Sequence, residues 1–341
     1  MTQHTNKRVI LQRRATGLPT PDLFAVVEDA APAPAEGEVL VSTLYVTADP
    51  GMKGWIGTAK NYNSVETGTT MHSFGTGIVV ETRHPDVAIG DILCGRTGWQ
   101  SYAVMNPDAP GIRRIDPDDA PISTSLGVLG VNGITAYFGL LDVGRPETGN
   151  TVLVSTAAGA VGSAAGQIAK IKGCRTVGIA GGPDKIALCR DVFGYDAAID
   201  YKATDDLATA LRDACPDGID VFYDNVGGAT LDAVLGQMNV GGRIAICGTA
   251  ATESWDPPPL GPRVERALLV SRLKMQGFLL FDYTARFDEA LADLRQWVRD
   301  GRLVYREDIV DGLENAPAML SGLYAGRNTG RALIRVRPEP A

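Results

Sequence analysis

Cysteine is scarce in this chain, and its spacing excludes the frameworks that cysteine usually builds. The five cysteines are odd in number and include no Cys-x-x-Cys pair; they are Cys94, Cys174, Cys189, Cys215 and Cys247. Neither a disulfide scaffold nor a structural zinc lobe can be assembled from that spacing. We therefore expect free thiols, most of them buried as small apolar side chains.

Positive charge and long apolar runs are also lacking. The 32 Lys and Arg residues are outnumbered by 40 Asp and Glu residues, and the net charge of −8 argues against a nucleic acid or an anionic membrane as partner. No apolar run approaches the roughly 18 residues of a membrane span. The polar segment 1–14 has no apolar signal core. We expect a cytoplasmic chain of about two domains.

Glycine, by contrast, is abundant, with 40 residues in 341 positions. Up to about residue 125, short β runs at 38–46, 77–82 and 91–94 are separated by Pro, Gly and Asp turn signals. Many short strands with such punctuation predict a mainly-β domain.

After about residue 127, apolar strands alternate with helices. The predicted strands are 151–155, 175–180, 197–199, 219–223, 243–247 and 274–281. The predicted helices are 160–172, 184–192 with Asp184 as its cap, 205–214, 230–238, 266–271 and 286–300. This alternation predicts an α/β fold with a doubly wound parallel sheet. A β-like run at 331–336 predicts a terminal strand that returns to the first domain.

The strongest local motif is the turn that follows the strand 151–155. It has the Gly-x-Gly-x-x-Gly pattern of dinucleotide-binding folds, with Ala157 in place of the first glycine. Gly159 lets the backbone approach a pyrophosphate, and Gly162 lets the helix pack closely on the sheet. The helix N-terminus offers unpaired N–H groups and partial positive charge to the phosphates. A tight turn of small residues without a ligand is the structural alternative.

The second strand carries the signal for the type of nucleotide. NAD-dependent enzymes place an acid about 20 residues after the motif to bind the ribose 2′-hydroxyl. Here Gly181 lies 19 residues after Gly162, and Lys185 follows near the start of the next helix. An isolated lysine is usually only a solvated helix residue. The missing acid, together with Lys185, predicts NADPH rather than NADH.

Several motifs together resemble one known family. They are AAGAVGS at 157–163, GQIAKIKGC at 166–174, GITAYFGLL at 133–141, DYK at 200–202, YDNVGG at 223–228, GRIAICG at 242–248 and NTG at 328–330. The chain is similar to the zinc-independent branch of the medium-chain dehydrogenase/reductase superfamily. Within this branch, it resembles the leukotriene B4 dehydrogenase, prostaglandin reductase and alkenal double-bond reductase group.

The resemblance implies a GroES-like mainly-β domain formed by residues 1–126 and 304–341, and a Rossmann domain over 127–303. The active site would lie in the cleft between them. The implied reaction is NADPH-dependent reduction of the C=C bond of an α,β-unsaturated ketone or aldehyde, and the implied assembly is a homodimer joined through strands near 274–281. Close relatives in the branch reduce quinones, so a quinone reductase is the rival within the enzyme class. A non-catalytic NADPH-binding protein is the rival from outside it.

The resemblance also implies roles for individual residues. The pyrophosphate would be lined by Gly159, Ala160, Val161 and Gly162. The 2′-phosphate would be held by Lys185 and Tyr201, and the nicotinamide-side ribose by Asn225. The loop residues Cys247, Gly248 and Thr249 would approach the nicotinamide. Phe278 and Leu279 would border its carboxamide, and Asn328 would close over the cofactor.

Zinc is not expected. Where zinc-dependent relatives carry Gly-His-Glu, this chain has Ser73 and Phe74 at the His and Glu positions, and His72 alone cannot supply the three protein ligands of a catalytic zinc. Two other departures concern the substrate. Gly51 replaces the tyrosine of the family's Asp-Pro-Tyr-Met-Arg, which suggests a larger or differently shaped substrate. Glu253 stands near the family's proton-donating tyrosine, so the proton would come from Glu253, from Tyr62 or from solvent.

Overall fold

The computed structural model describes residues 4–59, 61, 63–253, 255 and 257–339. The chain divides into two compact units. One consists of Met1–Gly127 and Glu307–Ala341, and the other of Val128–Arg306.

The first unit is mainly β. Its elements before the second unit begins are β1 (Thr5–Leu11), β2 (Phe24–Ala30), β3 (Val39–Thr47), α1 (Met52–Ile56), β4 (Phe74–Thr82), β5 (Ile92–Arg96), β6 (Tyr102–Met105) and β7 (Arg113–Ile115), with short 3₁₀ helices at Pro21–Leu23 and Ile122–Leu126. Every residue of β3 is buried, since its β-branched and apolar side chains pack on both faces.

The second unit alternates strands and helices. Its elements are α2 (Val131–Phe138), β8 (Thr151–Ser155), α3 (Ala160–Ile171), β9 (Arg175–Ala180), α4 (Pro183–Ala187), β10 (Ala197–Asp200), α5 (Leu207–Ala214), β11 (Ile219–Asp224), α6 (Gly228–Leu235), β12 (Met238–Ile246), α7 (Glu265–Ser271), β13 (Lys274–Gly277) and α8 (Phe287–Arg299). Two π-helical segments, Gly139–Gly144 and Leu188–Val192, continue α2 and α4, and a 3₁₀ helix spans Leu280–Arg286.

The chain then returns to the first unit with β14 (Glu307–Asp311), a 3₁₀ helix at Leu313–Asn315, α9 (Ala316–Tyr324) and β15 (Arg331–Arg335). The strand predicted near the C-terminus is therefore present, and it pairs antiparallel with β3. The larger sheet of this unit has the order β14-β15-β3-β4-β5-β7, with β6 also paired to β3, and β1 and β2 form a separate antiparallel pair.

The sheet of the second unit has the order β10-β9-β8-β11-β12-β13, and all its pairings are parallel. This is the 3-2-1-4-5-6 order of a dinucleotide-binding fold, which confirms the predicted doubly wound parallel sheet. β8 is buried throughout, as expected for a central strand covered by helices on both faces. Its two neighbours, β9 and β11, contribute Val177 and Phe222 to the same core, and β12 contributes Ile244.

Some predicted boundaries are wrong. Asp184 does not cap its helix: Gly182, with φ of +95°, is the N-cap, because Pro183 takes the first helical position. The helix predicted to reach residue 238 ends at Leu235, and Met238 opens β12. The strand predicted over 274–281 ends at Gly277, where the 3₁₀ helix follows.

Among the described residues, no helix is both long and apolar enough to cross a membrane.

Candidate cofactor site

The turn between β8 and α3 leaves a helix start without a side-chain cap. The first helical hydrogen bond of α3 is donated by the amide of Ser163 to the carbonyl of Gly159 at 2.8 Å. The preceding amides of Ala160, Val161 and Gly162 have no carbonyl one turn earlier in the helix, and no side chain caps them. Three adjacent N–H groups at a helix N-terminus form a binding place for phosphate oxygens.

The glycines of this turn are required by close contacts. A Cβ on Gly162 would overlap the carbonyl oxygen of Thr156, and one on Gly159 would lie 2.9 Å from the Thr156 side chain. Thr156 itself has a φ of +55°. Ala157 is accommodated at the first glycine position because the residue that faces it is Gly178. A Cβ added to Gly178 would lie 2.6 Å from the Cβ of Ala157. The structure thus explains both the motif and its one departure.

The carboxyl end of β9 gathers positive charge. An added Cβ at Gly181 would lie 2.7 Å from the ring of Tyr201 and 3.0 Å from Cε of Lys202. Burial, and then the nearby charge of Lys202, lower the pKa of the Lys185 ammonium. Two lysines are therefore close enough to repel each other beside a position that has no acid. A doubly charged phosphate would relieve that repulsion.

Lys202 is a candidate site residue that sequence reasoning missed. The signal was present in the DYK string at 200–202, of which only the tyrosine was assigned a role. Among the described residues, the neighbouring Asp200 forms no ion pair with either lysine, although the charge of Lys202 contributes to lowering its pKa. Its carboxylate accepts the amides of Gly182 at 2.9 Å and Lys202 at 3.0 Å, which lowers its pKa.

A buried hydrogen-bond network joins the carboxyl ends of β8 and β11. The carboxylate Oδ1 of Asp224 accepts the Ser155 hydroxyl at 2.9 Å and the amides of Val226 and Gly227 at 2.9 and 3.0 Å. Asn225 donates its amide N–H to the Ser155 hydroxyl at 2.8 Å and its side-chain amide to the Ser155 carbonyl at 2.7 Å. This network fixes Asn225 at the edge of the sheet.

Backbone hydrogen bonds hold the loop after β12 beside this network. The amides of Cys247 and Gly248 both donate to the carbonyl of Asp224, at 2.8 and 3.1 Å. An added Cβ on Gly248 would lie 2.9 Å from the carbonyl oxygen of Asn225, while Thr249 is exposed. Burial raises the pKa of the Cys247 thiol to about 11, so this thiol stays protonated at neutral pH.

Phe278 and Leu279 follow the end of β13 at the same edge. The Phe278 ring packs edge-on against Tyr223 and Tyr283, with ring centroids 6.3 and 6.4 Å apart. A Cβ on Gly139 would overlap this ring. Leu279 remains 40% exposed, so an apolar surface is available beside the ring.

Glu253 is exposed in the loop after β12. Tyr62 lies outside the described residues. Asn328 belongs to the first unit, where its side-chain amide donates to the Gly330 carbonyl at 2.9 Å. The other predicted cofactor residues share the carboxyl edge of the six-stranded sheet.

The first unit shows what stands at the zinc-ligand positions of other dehydrogenases. The Ser73 hydroxyl accepts the Thr47 amide at 3.0 Å and lies 2.6 Å from the Phe74 carbonyl, so it joins β3 to the start of β4. Burial lowers the pKa of His72, which favours its neutral form. Among the described residues, no group of three or more His, Cys, Asp or Glu side chains is arranged to hold a metal ion.

Gly51, the other departure in this unit, is exposed at the start of α1. A Cβ there would be 3.9 Å from the indole of Trp55. The indole N–H of Trp55 is buried and has no hydrogen-bond partner among the described residues.

Two known protein families match this chain, one in each of its two units. The family described as "N-terminal domain of oxidoreductase" matches residues 7–112, and that described as "Zinc-binding dehydrogenase" matches residues 160–296. The NADPH-dependent curcumin reductase of Escherichia coli is 42% identical, over 97% of this chain and 97% of that protein. The NADP(+)-dependent 2-alkenal reductase of Nicotiana tabacum is 37% identical, over 98% of each chain. Crystalline CurA from Vibrio vulnificus, in complex with NADPH, has a TM-score of 0.91 and 39% identity, covering 98% of this chain and 100% of that one.

Proposed function

Because the chain belongs to the zinc-independent branch of the medium-chain dehydrogenase/reductase superfamily, we propose that it is an NADPH-dependent reductase of α,β-unsaturated ketones and aldehydes. A hydride is added to the β-carbon and a proton to the α-carbon. The observation that carries the proposal is the pair Lys185 and Lys202 beside the acid-free Gly181, at the carboxyl edge that also holds the uncapped start of α3.

The residues present fit NADPH. The amides of 160–162 would hold the pyrophosphate, since side chains are excluded at Gly159 and Gly162. Lys185, Lys202 and Tyr201 would hold the 2′-phosphate through charge-assisted hydrogen bonds. When bound, NADPH supplies the hydride.

At the other end of the cofactor, Asn225 would contact the nicotinamide-side ribose, where the Ser155 network already fixes its position. Cys247, Gly248 and Thr249 would lie along the nicotinamide, and Phe278 and Leu279 beside its carboxamide. Asn328 would close over the cofactor. The protein's contribution is thus orientation of the two reacting molecules.

The proton for the α-carbon has three possible sources. Glu253 is exposed and can exchange protons with bulk water, Tyr62 carries a hydroxyl, and solvent can act directly. Glu253→Gln and Tyr62→Phe separate them: the variant that removes the donor lowers kcat and leaves the KM for NADPH unchanged.

The test is a parallel assay of the purified chain with a short enone and with a benzoquinone, using NADPH and NADH. We expect NADPH oxidation with the enone and a product that has gained two hydrogen atoms across the C=C bond. With NADPH deuterated at the transferred position, the label should appear on the β-carbon, and a solvent deuteron should appear on the α-carbon. Turnover of the quinone alone would replace the proposed activity with quinone reduction. Cofactor binding without turnover would indicate a binding protein.

We also propose that the chain works as a homodimer in the cytoplasm. β13 is one of the two outer strands of the six-stranded sheet, and its residues Lys274, Gln276 and Gly277 are exposed. An exposed edge strand can pair with the same strand of a second copy. Light scattering of the purified chain measures the state, and Gln276→Pro should shift a dimer joined at this strand toward monomer.

A further inference from the structure

Asp224 is a carboxylate without exposed surface. It is fully buried, and among the described residues no Lys, Arg or His forms an ion pair with it. Burial raises its pKa, and the amides of Gly227 and Val226 and the Ser155 hydroxyl act in the opposite direction. A buried charge balanced only by neutral donors is unusual, since such groups are normally paired with an opposite charge.

The position of Asp224 in the fold is informative. It is the last residue of β11, and it bonds Ser155, the last residue of β8. β8 and β11 are the two central strands at which the strand order reverses. In open α/β sheets, ligands bind outside the carboxyl ends of the strands at this switch point. The second half of such a sheet, from β11 onward, receives the nicotinamide half of a dinucleotide.

The three donors to Oδ1 hold the negative charge in place without cancelling it. The Ser155 hydroxyl and the amides of Val226 and Gly227 are neutral dipoles, so the net charge of the cluster remains that of the carboxylate. In a site from which water is excluded, such a charge acts over a longer range than it would at the surface.

The reaction changes the charge of the ring that this half receives. One hydride, carrying two electrons, leaves the cofactor for the β-carbon of the enone, and one proton from a donor reaches the α-carbon. The C=C bond becomes a C–C bond with two new C–H bonds. The nicotinamide ring is neutral before this step and carries one positive charge after it, while the phosphates do not change.

We propose that Asp224 is a positioning residue that favours the oxidised, positively charged nicotinamide over the reduced, neutral one, and so assists departure of the hydride. This inference rests on the proposed use of NADPH. It assigns the relative affinity for the two forms of the cofactor to one buried side chain.

The experiment measures binding rather than turnover. Fluorescence titration of the full chain gives the Kd for NADP+ and for NADPH, and their ratio is the quantity of interest because contacts with the phosphates cancel. In Asp224→Asn, the Kd for NADP+ should rise roughly three- to thirty-fold relative to the Kd for NADPH, as expected for loss of one charge at moderate effective dielectric.

Ser155→Ala is the matched control. It removes a hydrogen-bond donor from the same network and keeps the charge, so both Kd values should rise by the same factor. A ratio that stays unchanged in Asp224→Asn overturns the proposal. A ratio that changes equally in both variants also overturns it, because loosening of the turn would then be the cause.

The wild-type chain provides a second measurement in case Asp224→Asn does not fold. Because Asp224 is fully buried, the ratio should stay constant from low to high salt, whereas a ratio set by exposed charges would change through screening. A salt-dependent ratio overturns the proposal. A chain that binds neither nucleotide overturns both this proposal and the proposed function, while binding with unchanged ratios leaves the proposed function intact.

Discussion

The two ends of the candidate site handle charge in opposite ways. At the carboxyl ends of β9 and β10, Lys185, Tyr201 and Lys202 form an exposed or half-buried cluster with surplus positive charge. At the ends of β8 and β11, Asp224 is a fully buried negative charge held by neutral donors. The exposed cluster can attract an anion from solution and is weakened by salt. The buried charge cannot recruit a ligand and acts only on what is bound beside it.

This contrast separates recognition from chemistry. Selection between NADPH and NADH should depend on the exposed cluster, and selection between the oxidised and reduced ring on the buried carboxylate. Both ends share the turn between β8 and α3, so damage to the turn should affect both at once.

The largest expected effect is therefore that of Gly162→Ala. The new Cβ overlaps the Thr156 carbonyl, so the turn must shift and the amides of 160–162 lose their alignment. Affinity for NADPH and for NADH should fall together by about 100-fold, and the free energy of unfolding by about 1–3 kcal/mol. Titration and thermal unfolding measure the two changes.

The control is Gly236→Ala, at a helix end where φ is −74° and the nearest atom to an added Cβ is 4.0 Å away. It should leave both affinities unchanged. If Gly162→Ala weakens the binding of NADPH but not that of NADH, the turn does not contribute to binding at both ends of the site.

A smaller effect is expected when the exposed cluster is changed alone. Lys185→Ala should lower the affinity for NADPH about 10- to 100-fold and leave the affinity for NADH within about twofold, since one charge-assisted contact to the 2′-phosphate is lost. Lys202→Ala should have the same selectivity but a smaller loss, about threefold to tenfold, because its side chain is more exposed.

Lys274→Ala, on the exposed strand β13, tests whether any lost positive charge gives this result. It should change neither affinity. Equal losses of NADPH and NADH in Lys185→Ala would mean that Lys185 does not contact the 2′-phosphate.

The smallest effect concerns pH. Burial and Lys202 lower the pKa of Lys185 from its ordinary 10.5, and a bound phosphate should raise it again. Above neutral pH, NADPH binding should therefore take up protons, and its affinity relative to NADH should fall as pH rises toward the ordinary lysine pKa. In the ligand-free protein, the lowered pKa makes this group's contribution to folding stability rise with pH over the same range, because the unfolded chain binds more protons.

Calorimetry of NADPH binding in buffers of different ionisation enthalpy measures the proton uptake. Lys185→Ala should reduce it. Proton release on binding, or uptake of the same size in Lys185→Ala, would contradict the assignment.

The fold of the second unit could be predicted from sequence to a large extent. β8 and β9 were predicted at their observed bounds, because each has mostly small or apolar residues between turn residues and is almost entirely buried in the sheet. The strand at 274–281 was predicted too long, since Leu279 and Phe281 continue the apolar pattern. The backbone turns at that point, and the Leu279 amide donates a hydrogen bond to the Asp282 carboxylate at 3.3 Å.

The candidate site was predictable only where one short segment carries the chemistry. The glycine turn and the missing acid at Gly181 are local signals. The hydrogen bond between Ser155 and Asp224 joins residues 69 positions apart, and nothing local shows that this aspartate is buried with no ion-pair partner among the residues that the structure describes. β1, β2 and β14 were not predicted, because their polar and apolar residues give no continuous run and their pairing is decided by distant partners.

The return of the chain to the first unit also affects its synthesis. β15 pairs with β3 along Tyr45–Thr47 and lies between β3 and β14 in the finished sheet. A ribosome makes β3 early and must translate all of Val128–Arg306 before β15 exists. During that interval, part of β3 has backbone groups without their final partner, so the nascent chain is open to wrong pairing. The inserted unit, whose strands are contiguous in sequence, can fold first, and the unit that begins the chain is the last to be completed.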